Sequence, residues 1–189
     1  MNIYDPYPEE VELDGKIYPL NLSYDRVLMA IDLQGDNSLT AQDRLETQCV
    51  LLLARGYKDL PESDRTRARL LRAVLNLLPK SDKTGEKYID FHQDAAMIRS
   101  AFFRIGIDLL KDKIHIIQFL ELLADLPSDT ALMRTVEIRQ RPLPKPTKHN
   151  AEQIAALQKA KDRVAIKITE EERRERFAQS LKNSTILRG

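Results

Sequence analysis

Hydrophobic side chains recur every three or four residues along most of the chain, a spacing that predicts helices rather than strands. Six such stretches lie between residues 23 and 140, and glycine, proline or a polar loop separates them. The residues expected at their N-terminal ends are Ser23, Thr40, Pro61, Asp90, Ile114 and Ser128. The expected fold is therefore mainly α, a compact helical domain of about six helices over residues 23–140.

Residues 1–22 have a different pattern. Short β-prone runs lie on both sides of Asp14-Gly15. Both central residues of the favoured two-residue hairpin turn need a positive φ, and this dipeptide meets that need at low cost. The segment is therefore expected to form a small N-terminal β-hairpin, which must lie against the helices because an isolated hairpin is only marginally stable.

The character of the chain changes again at Arg141. Prolines at positions 142, 144 and 146 exclude a helix and predict an extended linker over residues 141–149. Residues 150–189 are then expected to form a basic C-terminal helical segment, with one amphipathic helix starting at Asn150 and a second start at Thr169. Its apolar stripe consists of Ile154, Leu157, Val164 and Ile168.

This stripe is too narrow for the C-terminal segment to fold alone. We expect it to contact a partner protein or a neighbouring subunit. Packing of the same stripe against the 23–140 body is the alternative.

Composition narrows the class of protein. The chain has 189 residues with a formal net charge of +1, enough for one domain with an appendage. It contains no apolar run long enough to span a membrane and a single cysteine, and its acidic first ten residues do not resemble a secretory signal. We expect a soluble protein of the cell interior.

The charge is divided unevenly. Residues 1–126 contain five more acidic than basic side chains, whereas residues 127–189 contain six more basic than acidic ones. The C-terminal region is thus the basic part of an otherwise neutral chain.

Candidate catalytic residues are few. Asp90 and Asp94 lie four residues apart and could form an acid–base pair, but we expect Asp90 to cap a helix and Asp94 to lie in its first turn, near the helix dipole. Cys49 stands among leucines and is expected in the core. His92 and His115 lack further ligands at metal-binding spacing. The sequence therefore predicts a protein that is not an enzyme and that needs no metal and no cofactor.

Two surface features remain as candidate binding sites. Arg65, Arg69 and Arg72 form a basic face on one predicted helix, which could follow phosphates or could simply be solvated. Phe103 follows Phe102, and adjacent helical residues cannot both point into the core, so Phe103 is a candidate subunit contact.

Scattered positions between Tyr88 and Arg141 resemble one phage family. They are Asp90-Phe91, Asp94, Ile98, Phe102, Gly106-Ile107-Asp108-Leu109, His115, Phe119, Leu126-Pro127-Ser128-Asp129-Thr130 and Glu137-Ile138-Arg139. The Asp14-Gly15 hairpin before a first helix agrees with it. The pattern resembles the bacteriophage gp fifteen family, found in siphophages and prophages of Gram-positive bacteria. One departure is Ile116, where the family often has tryptophan after the histidine.

The resemblance implies a tail assembly chaperone encoded just ahead of the tape measure protein. Such a protein would bind the tape measure protein in the host cytoplasm, assist tail tube assembly as a homo-oligomer, and be absent from the mature virion. The tail tube protein would be a secondary partner, with no role for membranes or nucleic acid.

Two other functions stay open at this stage. One is a structural minor tail or connector component of the virion. The other is a small nucleic-acid-binding regulator that would use the arginine face and the basic C-terminal segment.

Overall fold

The chain forms seven α-helices and one β-hairpin within the residues that the structure, a computed structural model, describes, namely 4–79 and 87–167. The strands are β1 (Glu10–Leu13) and β2 (Lys16–Pro19). The helices are α1 (Tyr24–Asp32), α2 (Ala41–Leu52), α3 (Asp64–Leu77), α4 (Ala95–Arg104), α5 (Ile116–Ala124), α6 (Ala131–Gln140) and α7 (Ala151–Val164). The predicted fold class, mainly α with a small N-terminal hairpin, is confirmed.

The hairpin turns where the sequence predicts it. Asp14 and Gly15 have φ values of 54° and 74°, as a two-residue turn of this kind requires. The strands pair antiparallel, with Val11 opposite Tyr18. Tyr18 is buried, and β1 packs against α3. The hairpin is thus supported by a helix, as its marginal intrinsic stability demands.

Contacts divide the chain into two compact units. The first comprises Met1–Gly85 and Phe102–Leu126, and the second comprises Glu86–Ala101 and Pro127–Gly189. Helix α4 contributes residues to both. The division into hairpin, body, linker and C-terminal segment that the sequence suggests stays a prediction.

In the first unit, α1, α2 and α3 pack in chain order and α5 packs against α1. The centre is aromatic: Phe119 stacks between Tyr24 and Phe102, with ring centroids 4.9 and 5.0 Å away. Phe102 is fully buried and Phe119 nearly so. Leu53, Leu70, Val27, Val74 and Cys49 are buried in the same unit.

Some helices start where the sequence predicts and others do not. The Thr40 hydroxyl caps α2 by accepting the Asp43 N–H, as predicted. Helix α3 begins after Ser63, so Pro61 precedes it and is not in its first turn. Helix α6 is capped by Thr130 and not by Ser128, because the Thr130 N–H first closes a turn onto the Pro127 carbonyl.

The second unit contains α6 and α7, which pack against each other. Its buried apolar residues include Ile98, Leu132 and Val136. Residues 141–149, between the two helices, are all exposed and form no helix or strand. Helix α7 starts after Asn150, as predicted, whereas the predicted restart at Thr169 lies outside the described residues.

No helix within the described ranges is both long enough and apolar enough to cross a membrane.

Candidate functional site

The apolar stripe of the C-terminal segment lies on α7. Ile154, Leu157 and Val164 are all half-buried, whereas the residues on the opposite side of the helix, such as Ala155 and Ala156, are exposed. Since α7 packs against α6, the stripe is the side turned toward that helix. No residue of α7 is fully buried. The fourth member of the stripe, Ile168, lies outside the described residues.

The guanidinium of Arg139 on α6 holds the end of α7 in place. Its Nε donates to the Val164 carbonyl at 2.6 Å, and Nη1 donates to the Tyr88 carbonyl at 2.7 Å. Nη1 and Nη2 also reach the two carboxylate oxygens of Asp94 at 2.6 and 2.9 Å. A single buried side chain therefore joins α6, the last residue of α7 and two sites near the start of α4.

Asp94 corrects an expectation from the sequence. Asp94 lies directly before α4, is fully buried, and forms a bidentate ion pair with Arg139. The sequence had instead suggested a residue of the first helical turn that is stabilised by the helix dipole. Its Oδ2 also accepts the Asp90 N–H at 2.9 Å. A buried carboxylate persists only when it is paired and hydrogen-bonded, and both conditions hold here.

Gln93 and Lys161 complete the attachment of α7. The Gln93 amide donates to the Ala165 carbonyl and accepts the Lys167 N–H, both at 2.9 Å, so it pairs with the main chain beyond the helix. Lys161, on α7, donates to the Arg139 carbonyl at 2.7 Å. Together with Arg139, these residues form what we call the α7 clasp (Gln93, Arg139 and Lys161).

Asp90 has a structural role in the same unit. Its Oδ1 accepts the N–H groups of His92 and Gln93, and its Oδ2 pairs with Lys87 at 2.8 Å. Partial burial opposes ionisation, but these hydrogen bonds and the Lys87 ammonium outweigh it and lower the pKa of Asp90 to about 2. The carboxylate thus caps the turn of residues 91–94, and because α4 begins only at Ala95, Asp90 is not the helix cap that the sequence predicts.

The basic face lies on the exposed side of α3. The Arg69 guanidinium donates two hydrogen bonds, of 2.6 and 2.7 Å, to the carboxylate of Asp14 in the hairpin turn. These hydrogen bonds hold the pKa of Asp14 below its usual value. Arg65 and Arg72 are exposed on the same side of the helix. The positive charge of Arg69 is therefore already paired with Asp14 of the hairpin, and this pairing reduces the net positive charge with which the face could bind phosphates.

Phe103 differs sharply from its neighbour. Its ring is 69% exposed, whereas Phe102 is fully buried. Gly106, with a φ of 88°, ends α4 as the Ile107 N–H bonds back to the Phe102 carbonyl. Ile105 and Leu110 nearby in sequence are exposed as well. Phe103 as a subunit contact stays a prediction.

His115 caps α5, a role that the sequence did not suggest. Its Nδ1 accepts the Ile117 N–H, its Nε2 lies 3.2 Å from the Pro8 carbonyl, and its ring stacks on Tyr7. Burial lowers the pKa of the imidazole, and this outweighs the opposing effects of the Pro8 carbonyl, Glu9 and Glu121. The lowered pKa favours the neutral imidazole, which is the form whose Nδ1 can accept the Ile117 N–H.

Cys49 is buried in the first unit, and that burial raises the pKa of its thiol to about 11. Such a thiol is a poor nucleophile at neutral pH. Across residues 4–79 and 87–167, His, Cys, Asp and Glu form no group of three or more that could hold a metal ion.

A comparison with protein families matches residues 3–166 to the family described as Bacteriophage Gp15 protein. The chain belongs to this family. The match extends through α7, beyond residues 88–141, which contain most of the positions that resemble the family. No curated protein and no solved structure gave a significant match. Family membership identifies a bacteriophage-related protein, and the resemblance noted from residues 88–141 is confirmed.

Proposed function

We propose that this chain is a phage tail assembly chaperone that binds the tape measure protein and assists tail tube assembly without catalysing a reaction. Membership of the Bacteriophage Gp15 family supports the phage context. On this proposal it acts in the host cytoplasm as a homo-oligomer, has the tail tube protein as a secondary partner, and is absent from the mature virion.

The observation that carries the proposal is the construction of α7. It is an amphipathic helix that follows a fully exposed Pro-rich linker, and its stripe of Ile154, Leu157 and Val164 is only half covered. Recognition of a helical partner through residues at this spacing is a common binding mode. A modest interface also suits a chaperone, because the partner must be released when the tail tube assembles.

The test is co-expression with the tape measure protein encoded by the same phage, followed by affinity capture and size-exclusion chromatography. We expect the tape measure protein to become soluble and to co-elute with this chain. If it stays insoluble while this chain elutes alone, the chaperone proposal fails, and detection of the chain in purified virions would then favour a structural tail component.

The role of the stripe is tested separately. The double variant Leu157→Glu, Val164→Glu places two carboxylates on the stripe and should abolish co-elution. The matched control, Ala155→Glu with Ala156→Glu, adds the same charge to the exposed side of α7 and should retain co-elution. Circular dichroism must show that both variants remain folded. If both variants bind equally well, the stripe is not the contact.

A further inference from the structure

We infer that α7 is exchanged between two copies of the chain, so that α7 of each copy occupies the seat on the second unit of the other. The seat is the surface of α6 together with Gln93 and Arg139 of the α7 clasp, whereas Lys161 of the clasp moves with α7. In such an exchange, every contact that α7 makes within one chain is remade between chains, and no new interface chemistry is needed. The inference does not depend on the identity of the phage partner.

The first argument is that α7 is weakly held. None of its residues is fully buried, whereas α5, a shorter helix, has four buried side chains. The free energy gained by burying an apolar side chain grows with the apolar area removed from water, and each stripe residue of α7 is only half-buried. Detachment of α7 therefore exposes little apolar surface that was previously covered.

The second argument is what the clasp recognises. Arg139 and Gln93 bind main-chain groups of residues 164, 165 and 167, and Lys161 binds the main chain of α6. These hydrogen bonds need a helix that ends at the clasp, and they do not depend on which chain supplies it. The α7 of a second copy fits by definition, since it has the same stripe and the same ending.

The third argument concerns the connection. The last residue of α7 lies at Arg139, near the end of α6, so the start of α7 lies about 20 Å away along its own axis, at about 1.5 Å per residue. Residues 141–150 must cover this distance before α7 returns. An extended Pro-rich segment spans about 3.1 Å per residue, so ten residues reach about 31 Å.

The connection is exposed over residues 141–149, and its described hydrogen bonds run between Asn150 and residues 145 and 147. A stiff linker that packs against nothing can direct α7 to its own seat or to that of a neighbour. The balance between these two states is set by linker length and protein concentration.

The decisive experiment separates the two halves of the contact. In a Cys49→Ala background, one tagged chain has Gln93→Cys and a differently tagged chain has Lys167→Cys, while Arg139 and Lys161 remain to hold α7 in the seat. The two chains are co-expressed, and heterodimers are purified through both tags and treated with a short bis-maleimide. We expect a covalent dimer, because position 93 of one chain lies beside position 167 of the other chain only when α7 is exchanged.

The control is a single chain with both substitutions, which shows that the two positions react when they are adjacent. If this chain crosslinks internally but the mixed pair yields no covalent dimer, the exchange is refuted. The same conclusion follows if no heterodimer forms.

A second variant tests the linker. Deleting Leu143–Pro146 leaves six residues between α6 and α7, which reach about 19 Å, and return to the seat of the same chain is then hindered. Light scattering after size exclusion should show that the shortened variant remains a dimer at lower protein concentrations than the chain with the full-length linker. A variant that stays monomeric with α7 seated, as judged by internal crosslinking of the Gln93→Cys, Lys167→Cys pair, would overturn the inference.

Discussion

Replacing Arg139 with methionine tests the centre of the second unit. The side chain of Arg139 is 6% exposed and that of Asp94 is not exposed at all. Methionine keeps much of the length and volume but removes the charge and four hydrogen bonds of 2.6–2.9 Å. Asp94 would retain the Asp90 N–H but lose its counter-charge inside the protein.

The expected cost follows from that uncompensated carboxylate. Removing one partner of a buried ion pair costs about 3–5 kcal/mol, whereas an exposed pair contributes at most about 1 kcal/mol. We therefore expect Arg139→Met to lower the free energy of unfolding by about 3–5 kcal/mol, measured by urea denaturation followed by far-UV circular dichroism. Arg139→Lys keeps the positive charge but cannot form the bidentate pair with Asp94, and it should lower the free energy of unfolding by less than Arg139→Met does.

Two further variants make the result interpretable. Arg134→Met, on an exposed position of the same helix, should change the free energy of unfolding by no more than about 0.5 kcal/mol. Asp94→Leu combined with Arg139→Met removes both charges and should recover part of the loss, because the isolated buried charge is gone. A loss below about 1 kcal/mol for Arg139→Met alone would refute the reasoning that this guanidinium neutralises a buried carboxylate.

Three further predictions concern single positions. Phe102→Ala should lower the free energy of unfolding by about 3–5 kcal/mol in chemical denaturation, because its ring is fully buried, whereas Phe103→Ala should leave it within about 0.5 kcal/mol. In the same assay, Thr130→Ala should lower the free energy of unfolding by about 1 kcal/mol because the α6 cap is lost, whereas Ser128→Ala should leave it almost unchanged. Equal losses for the two variants would contradict the assignment of the cap to Thr130. Lowering the pH from about 7.5 to 5.5 should destabilise the fold, because burial lowers the pKa of folded His115 and the unfolded ring, with its ordinary pKa of about 6.5, then binds more protons than the folded ring. His115→Gln should flatten this slope in thermal melts at each pH.

Local features of the fold were predictable from the sequence because short-range chemistry decides them. Asp14-Gly15 needs no distant contact to favour its turn, and the Thr40 hydroxyl caps α2 from three residues away. Helix α6 shows where this reasoning fails. Ser128 and Thr130 are both good caps, and the choice between them depends on a turn onto the Pro127 carbonyl that no propensity encodes.

The α7 clasp shows the second limit of sequence reasoning. Asp94 and Arg139 both belong to the pattern that resembles the phage family, yet nothing in one sequence says that these two residues, 45 positions apart, are in contact. Arg139 lies on an amphipathic helix where a solvated arginine is the ordinary expectation. Periodicity could place the stripe on one side of α7, but the hydrogen bonds of Gln93 to the main chain could be found only in the folded structure.

The seat of α7 also limits how a partner can bind the stripe. The stripe that we propose as the contact is turned toward α6 while α7 is packed on that helix. A partner can therefore bind the stripe only after α7 has detached from α6, or by displacing α6 from the stripe. The apparent affinity is then the intrinsic affinity reduced by the fraction of open molecules. A helix held by a few polar bonds, each contributing about 0.5–1.5 kcal/mol, opens far more readily than one anchored by four buried side chains. Exchange between copies and capture of a helical partner therefore draw on the same opening of α7, and a change that strengthens the seat must weaken both.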